Sequence, residues 1–153
     1  MRFRAAIDGG SRGNPGPAAW GVAVLGADGS PVEGHAGFLG RATNNVAEYH
    51  ALLEALRLAT QLGADEVELR ADSELVVQQL LGNYRVKHPD LKPLFAEARQ
   101  LIGGFVFFRI EHVPRERNRE ADRLVRTALD HAEADPAAAR RIHLVFDAAD
   151  RAS

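Results

Sequence analysis

Apolar residues recur at every second position in Phe3-Ala5-Ile7 and again in Val67-Leu69-Ala71, the period of a half-buried strand. The same reasoning predicts strands over 2–8, 20–25, 32–39, 66–71 and 105–113, the last rich in β-branched and aromatic residues (Val106, Phe107, Phe108, Ile110). The turn residues Gly26-Ala27-Asp28-Gly29-Ser30 join the second and third strands as a hairpin. Helical spacing takes over from Asn44 or Asn45 to Leu62, where Gly63 ends the segment. Shorter helices are predicted over 73–81, ended by Gly82, and over 90–102, between Pro89 and Gly103-Gly104. A fourth helix covers 118–133 with Asn118 as its N-cap, and Pro136 breaks it.

This order predicts an α/β domain with a five-stranded mixed sheet, an antiparallel meander followed by crossover helices. The helix over 44–62 allows strand 66–71 to run parallel to strand 2–8. Asp8 and Asp72 then emerge from one edge, the edge at which open α/β sheets bind ligands. The domain is expected over 1–135. The tail over 136–153 is rich in Ala, Asp and Arg and holds an apolar island at Ile142, Leu144, Val145 and Phe146. It is either a frayed end or a segment docked on the domain.

Four acids interrupt the apolar pattern. Asp8 and Asp72 each follow an apolar strand. Glu48 lies within roughly 40° of Leu52, Ala55 and Ala59 at about 100° per residue, so it sits on the helix line facing the protein. Asp122 borders the stripe of Ala121, Val125, Ala128, Leu129 and Ala132. Each acid alone also reads as a strand-end, capping or first-turn residue. Together, at one sheet edge, they would repel one another unless cations bind between them, which points to a metal site.

Composition narrows the partners. With 153 residues, 46% hydrophobic and 26% charged, the chain suits one globular domain. It has no cysteine, which excludes disulfides, thiolate zinc sites and thiol nucleophiles. No segment approaches the roughly 18 apolar residues of a membrane span and the N-terminus lacks a signal-like apolar run, so a cytoplasmic protein without a membrane partner is expected. The net charge of −2 counts against nucleic acid. Arg115, Arg117, Arg119, Arg123 and Arg126 are nonetheless clustered, as a solvated helix face or as a phosphate-tracking surface. The loop over 9–17 holds four glycines and two prolines but lacks the Gly-Lys-Ser/Thr ending of a Walker loop, so no nucleotide cofactor is expected.

The segments Asp8-Gly9-Gly10-Ser11, Gly13-Asn14-Pro15-Gly16-Pro17, Thr43-Asn44-Asn45-Val46-Ala47-Glu48-Tyr49, Ala71-Asp72-Ser73 and Asn118-Arg119-Glu120-Ala121-Asp122 closely resemble type 1 ribonuclease H. The match runs in order from residue 2 to about 133. It implies the ribonuclease H-like fold with helices on both faces of the sheet. It also implies a monomeric endonuclease that hydrolyses the RNA strand of an RNA–DNA hybrid by in-line attack of water, leaving 3′-hydroxyl and 5′-phosphate ends. Asp8, Glu48, Asp72 and Asp122 match the carboxylates that hold two Mg²⁺ ions, with Mn²⁺ as an alternative, and Asp8 would bridge both. Asn14, Thr43, Asn44, Asn45 and Ser73 match substrate contacts, uncharged donors able to read a ribose hydroxyl or a phosphate.

Two departures stand out. The segment His112-Val113-Pro114-Arg115-Glu116-Arg117-Asn118 is too short for the mobile His-bearing loop of many members, leaving His112 and Glu116 as competing accessory residues. The basic helical protrusion used by some members is replaced by Asn83-Tyr84-Arg85-Val86-Lys87-His88-Pro89-Asp90. Tyr84, Arg85 and Lys87 remain as candidates to touch the DNA strand, and weaker, strongly salt-dependent binding is expected.

Overall fold

The computed structural model describes residues 1–146; the end of the tail, 147–153, lies outside the described residues. Strands β1 (Arg2–Ser11), β2 (Gly16–Leu25) and β3 (Pro31–Ala42) form an antiparallel meander. Helix α1 (Asn44–Gln61) crosses over to β4 (Glu66–Ala71), which runs parallel to β1. Helices α2 (Glu74–Leu80) and α3 (Lys92–Ile102) lead to β5 (Phe107–His112), parallel to β4. A short 3-10 turn at Arg115–Arg117 precedes α4 (Arg119–Ala134).

Among the described residues the sheet has six strands, in the order β5-β4-β1-β2-β3-β6, against the five expected. The sixth, β6 (Ile142–Val145), comes from the apolar island of the tail and pairs antiparallel with β3. Its four residues include the polar His143, too short a run to show a strand period on its own.

Alternation along the strands sorts the core into two layers. Phe3, Ala5, Ile7, Trp20, Val22 and Val24 pack on α1, with residues of α2 and α3 behind. Helix α1 is therefore apolar on two sides, and it buries Ala47, Tyr49, Ala51, Leu52, Leu53, Ala55, Leu56 and Ala59. The other face carries small residues, Ala6, Ala19, Ala23 and Ala36, under Leu124, Val125, Ala128 and Leu129 of α4. Small side chains let α4 lie close to the sheet. A Cβ on Gly21 would stand 2.8 Å from the Ala121 carbonyl oxygen, so a larger residue there would lift the helix.

Register sets the functional edge. The β1–β4 pairing ends at Ile7 and Ala71, so Asp8 and Asp72 are the next residues on neighbouring parallel strands. Asp8 does not end its strand. β1 continues to Ser11, paired with β2 through Ala18, because β2 begins at Gly16 rather than near Trp20.

Candidate active site

At that edge Asp8, Glu48 and Asp72 bring a carboxylate oxygen each to within 4.8 Å of one another. Glu48 arrives because α1 begins directly over β1. The position of Gly9 is so tight that a Cβ there would lie 2.3 Å from the Ala47 carbonyl carbon and oxygen and 2.4 Å from the Glu48 nitrogen. Thr43 caps the helix, its hydroxyl oxygen accepting from the Val46 N–H at 3.2 Å. Ser73 caps α2 in the same way, accepting from the Val76 N–H at 3.3 Å. Each hydroxyl thus spends a lone pair on its helix and keeps its proton to donate.

The cluster is electrostatically costly. Burial, reinforced by the Asp72 charge and a hydrogen bond with Asp72, pushes the Asp8 carboxyl up to about 8. A hydrogen bond with Glu48 works in the other direction, and the Asp122 charge adds a smaller push upward. Glu48 is also held well above the ordinary carboxylate range, first by burial and then by the charges of Asp8 and Asp72. Its Oε2 is buried without a hydrogen-bond partner. Three convergent carboxylates, one with an unpaired buried oxygen, fit a hard divalent cation that takes oxygen ligands.

Asp122 stands apart from the three. Its oxygens pair with Arg126 at 2.9 Å, one helical turn on, and with Arg115 at 3.8 Å. All four acids nevertheless line one cleft of about 610 Å³, together with Ser11, Arg12, Asn44, Asn45, Ser73, Arg115 and Arg126. Arg126 approaches from the next turn of α4, whereas Arg115 reaches in from the 3-10 turn before it.

The loop over 9–17 is latched to α1. The Asn14 side-chain oxygen accepts from the Asn44 N–H at 3.0 Å, and the Asn44 side-chain oxygen accepts from the Ser11 N–H at 2.8 Å. Both amide oxygens are satisfied internally, which leaves the NH₂ groups as donors. Arg12 anchors the loop to the far end of α4 through Asp130 at 2.6 Å and Glu133 at 2.7 Å.

Asn118 sits at the start of α4 without a side-chain cap bond. Its Nδ2 instead donates to the Ile7 carbonyl at 2.8 Å, tying α4 to β1 beside Asp8. Capping propensity finds this residue but not its long-range partner.

Tyr84, Arg85 and Lys87 are exposed, while Val86 between the last two packs on the core. Tyr84 donates to Glu74 at 3.4 Å, and the Arg85 carbonyl accepts from the buried Gln79 at 3.3 Å. Tyr49, next to Glu48, hydrogen-bonds the same Gln79, so the loop is fixed to α1 through one buried amide. His112 and Glu116 are exposed and neither lines the cleft.

A family model for reverse transcriptase-like domains matches residues 6–128. Ribonuclease HI of Halobacterium salinarum is 49% identical over 131 residues, covering 86% of this chain and 66% of that protein. The N-terminal RNase H domain of Rv2228c from Mycobacterium tuberculosis superposes with a TM-score of 0.82 at 47% identity, covering 88% of this chain and 97% of that domain. The whole bifunctional protein Rv2228c is longer, and the chain spans 40% of it. LC11-RNase H1, solved in complex with an RNA/DNA hybrid, gives a TM-score of 0.80 at 42% identity, covering 86% of this chain and 99% of that one. Fold and sequence agree, and the chain belongs to the ribonuclease HI family of reverse transcriptase-like domains.

Proposed function

We propose that the protein is a metal-dependent endonuclease that hydrolyses the RNA strand of RNA–DNA hybrids, leaving 3′-hydroxyl and 5′-phosphate ends. The observation that carries this reading is the convergence of Asp8, Glu48 and Asp72 at one sheet edge, beside a rim of uncharged donors. The hybrid bound by LC11-RNase H1 supports the choice of substrate.

Asp8, Glu48 and Asp72 hold Mg²⁺, and Asp122 completes the set when it turns from its arginines. An ion pair as exposed as Arg126–Asp122, with side chains 63% and 21% accessible, contributes at most about 1 kcal/mol, too little to withhold Asp122 from a divalent cation. Two Mg²⁺ ions bound there supply a water of lowered pKa and neutralise charge on the reacting phosphate. Asn14, Thr43, Asn44, Asn45 and Ser73 orient the RNA strand, donating to ribose and phosphate oxygens without selecting a base. Arg115 and Arg126 supply positive charge at the Asp122 side of the cleft once that carboxylate is engaged.

The test is a panel of labelled hybrid, single-stranded RNA, double-stranded RNA and duplex DNA, each with Mg²⁺ and with Mn²⁺. Preferential cleavage of the hybrid, lost in Asp72→Asn, is expected. Equal cleavage of duplex DNA, or activity that survives Asp72→Asn, overturns the reading.

The exposed loop over 83–90 carries the DNA strand, with Val86 as its anchor and Arg85 and Lys87 directed outward. Arg85→Ala and Lys87→Ala are each expected to reduce the slope of log affinity against log salt by about one, with little change in product pattern. Filter binding of the hybrid across a salt series measures this. Unchanged slopes in both variants would remove the loop from the interface.

A further inference from the structure

A second convergence of ligating side chains lies at the β3–β6 side of the sheet, away from the carboxylate cleft beyond the paired ends of β1 and β4. Glu33 and His35 alternate on β3 and share the α1 face, since they pair with Val24 and Val22 of β2. His143 of β6 lies directly across from His35 in the β3–β6 register. The two imidazole rings stack with centroids 4.3 Å apart and planes 8° from parallel. Both turn Nε2 toward one carboxylate, His35 at 3.4 Å from Glu33 Oε1 and His143 at 3.0 Å from Glu33 Oε2.

We propose that Glu33, His35 and His143 form a transition-metal site, of the class filled by Zn²⁺, that clamps strand β6 to the edge of the sheet. Their ligand atoms already lie within 4.8 Å of one another. Tetrahedral zinc with bonds of about 2.0–2.1 Å needs ligand atoms roughly 3.3 Å apart, so side-chain rotations alone close the gap. Two imidazoles and one carboxylate suit Zn²⁺ and its first-row neighbours, whereas Mg²⁺ takes oxygen ligands. The ligand set thus separates this site by chemistry from the all-oxygen cluster beyond β1 and β4.

The surroundings favour a ligated state. Both histidines line a cleft of about 370 Å³, which leaves room for water at an open coordination position. Arg141, the neighbouring cation, is held by Glu54 at 3.3 Å and lies over the Trp20 ring at 5.7 Å, so it does not compete for Glu33. Burial outweighs the hydrogen bond to Glu33 and holds the His35 ring below the ordinary imidazole range, neutral and able to offer a lone pair. Glu33 is pushed up by burial but pulled further down by its bonds to His143 and His35, so it stays ionised. A cation replaces the two Nε2 protons as each ring shifts to its other tautomer.

The clamp has a structural consequence. Strand β6 is four residues long at the sheet edge, with Val145 75% exposed, and so is weakly held by its own burial. A metal shared between β3 and β6 binds the docked tail and not the detached one, and therefore holds it in place.

The experiment uses the full chain with Asp8→Asn and Asp72→Asn, which weakens the other cation site. Calorimetric titration with Zn²⁺, and with Co²⁺ as a spectroscopic probe, is expected to show one equivalent bound, unaffected by excess Mg²⁺. His35→Asn or His143→Asn in that background is expected to weaken affinity by roughly 10-fold or more, with circular dichroism confirming the fold. Tryptic cleavage after Arg140 and Arg141 should slow on adding Zn²⁺ in the parent and not in the His143→Asn protein. No saturable binding, or binding and protection unchanged in both histidine variants, overturns the proposal.

Discussion

Asp8→Asn is expected to lower hybrid cleavage by at least about 10³-fold while raising the melting temperature of the metal-free protein. The two effects have one origin. Asp8 is buried, and its carboxyl is pushed up to about 8 by burial and by Asp72. A carboxyl whose pKa is raised on folding binds more protons in the native state than in the unfolded chain between its ordinary value near 3.8 and about 8. Stability of the metal-free protein therefore falls as pH rises through that window. At about 1.4 kcal/mol per unit the cost is on the order of several kcal/mol by pH 8, shared among the coupled carboxylates. Asparagine keeps the shape and removes the charge, so the slope between pH 4 and 8 should flatten and the melting temperature at pH 8 should rise by roughly 5 °C or more. Mg²⁺ should restore the wild-type protein toward the variant and stabilise the variant less. Thermal melts from pH 4 to 9, with EDTA and with Mg²⁺, measure all three. A variant less stable than wild type at pH 8 without metal would show that the cluster is not a source of repulsion.

What the sequence makes visible follows from the range of the interactions involved. Alternation in 2–8 and 66–71 identifies β1 and β4, because half-buried strands carry period two locally. The parallel relation of Asp8 and Asp72 follows from the crossover length. Glu48 is legible because its neighbours at helical spacing are apolar. The lost features depend on partners distant in the chain. β1 extends to Ser11 only because β2 pairs with it from Ala18 onward, and no property of Gly9-Gly10-Ser11 alone requires a strand. β6 forms because β3 offers an open edge, not because Ile142-His143-Leu144-Val145 is strongly patterned. Asp122 shows the same limit: its place at the border of the apolar stripe is readable, its pairing with Arg115 and Arg126 is not. Asn14, Asn44 and Ser11 look like unconnected polar residues in sequence, yet in space they form one latch between the loop and α1.

Gly9→Ala is expected to cost roughly 3 kcal/mol, at the upper end for overpacking, and to lower activity about 10²-fold although alanine adds no charge and reaches no substrate. The added methyl carbon would fall 2.3 Å from the Ala47 carbonyl carbon and oxygen and 2.4 Å from the Glu48 nitrogen. These are backbone atoms of the first turns of α1, so no side-chain rotation relieves the overlap. The helix must move away from β1 and carry the Glu48 carboxylate out of reach of Asp8 and Asp72. Gly10→Ala is the matched control: its Cβ would meet only Asn44 Oδ1 and Val125 Cγ1, each at an ordinary 3.8 Å. The pair separates close approach from general loss of glycine flexibility, since neither glycine has a positive φ. Melting temperatures of both variants, with Mg²⁺ affinity and hybrid cleavage of Gly9→Ala, provide the measurement. The expected result is a fall of roughly 6–12 °C for Gly9→Ala and under about 3 °C for Gly10→Ala. Equal melting temperatures, with Mg²⁺ affinity intact in Gly9→Ala, would mean that the seat of α1 on β1 does not set the position of Glu48.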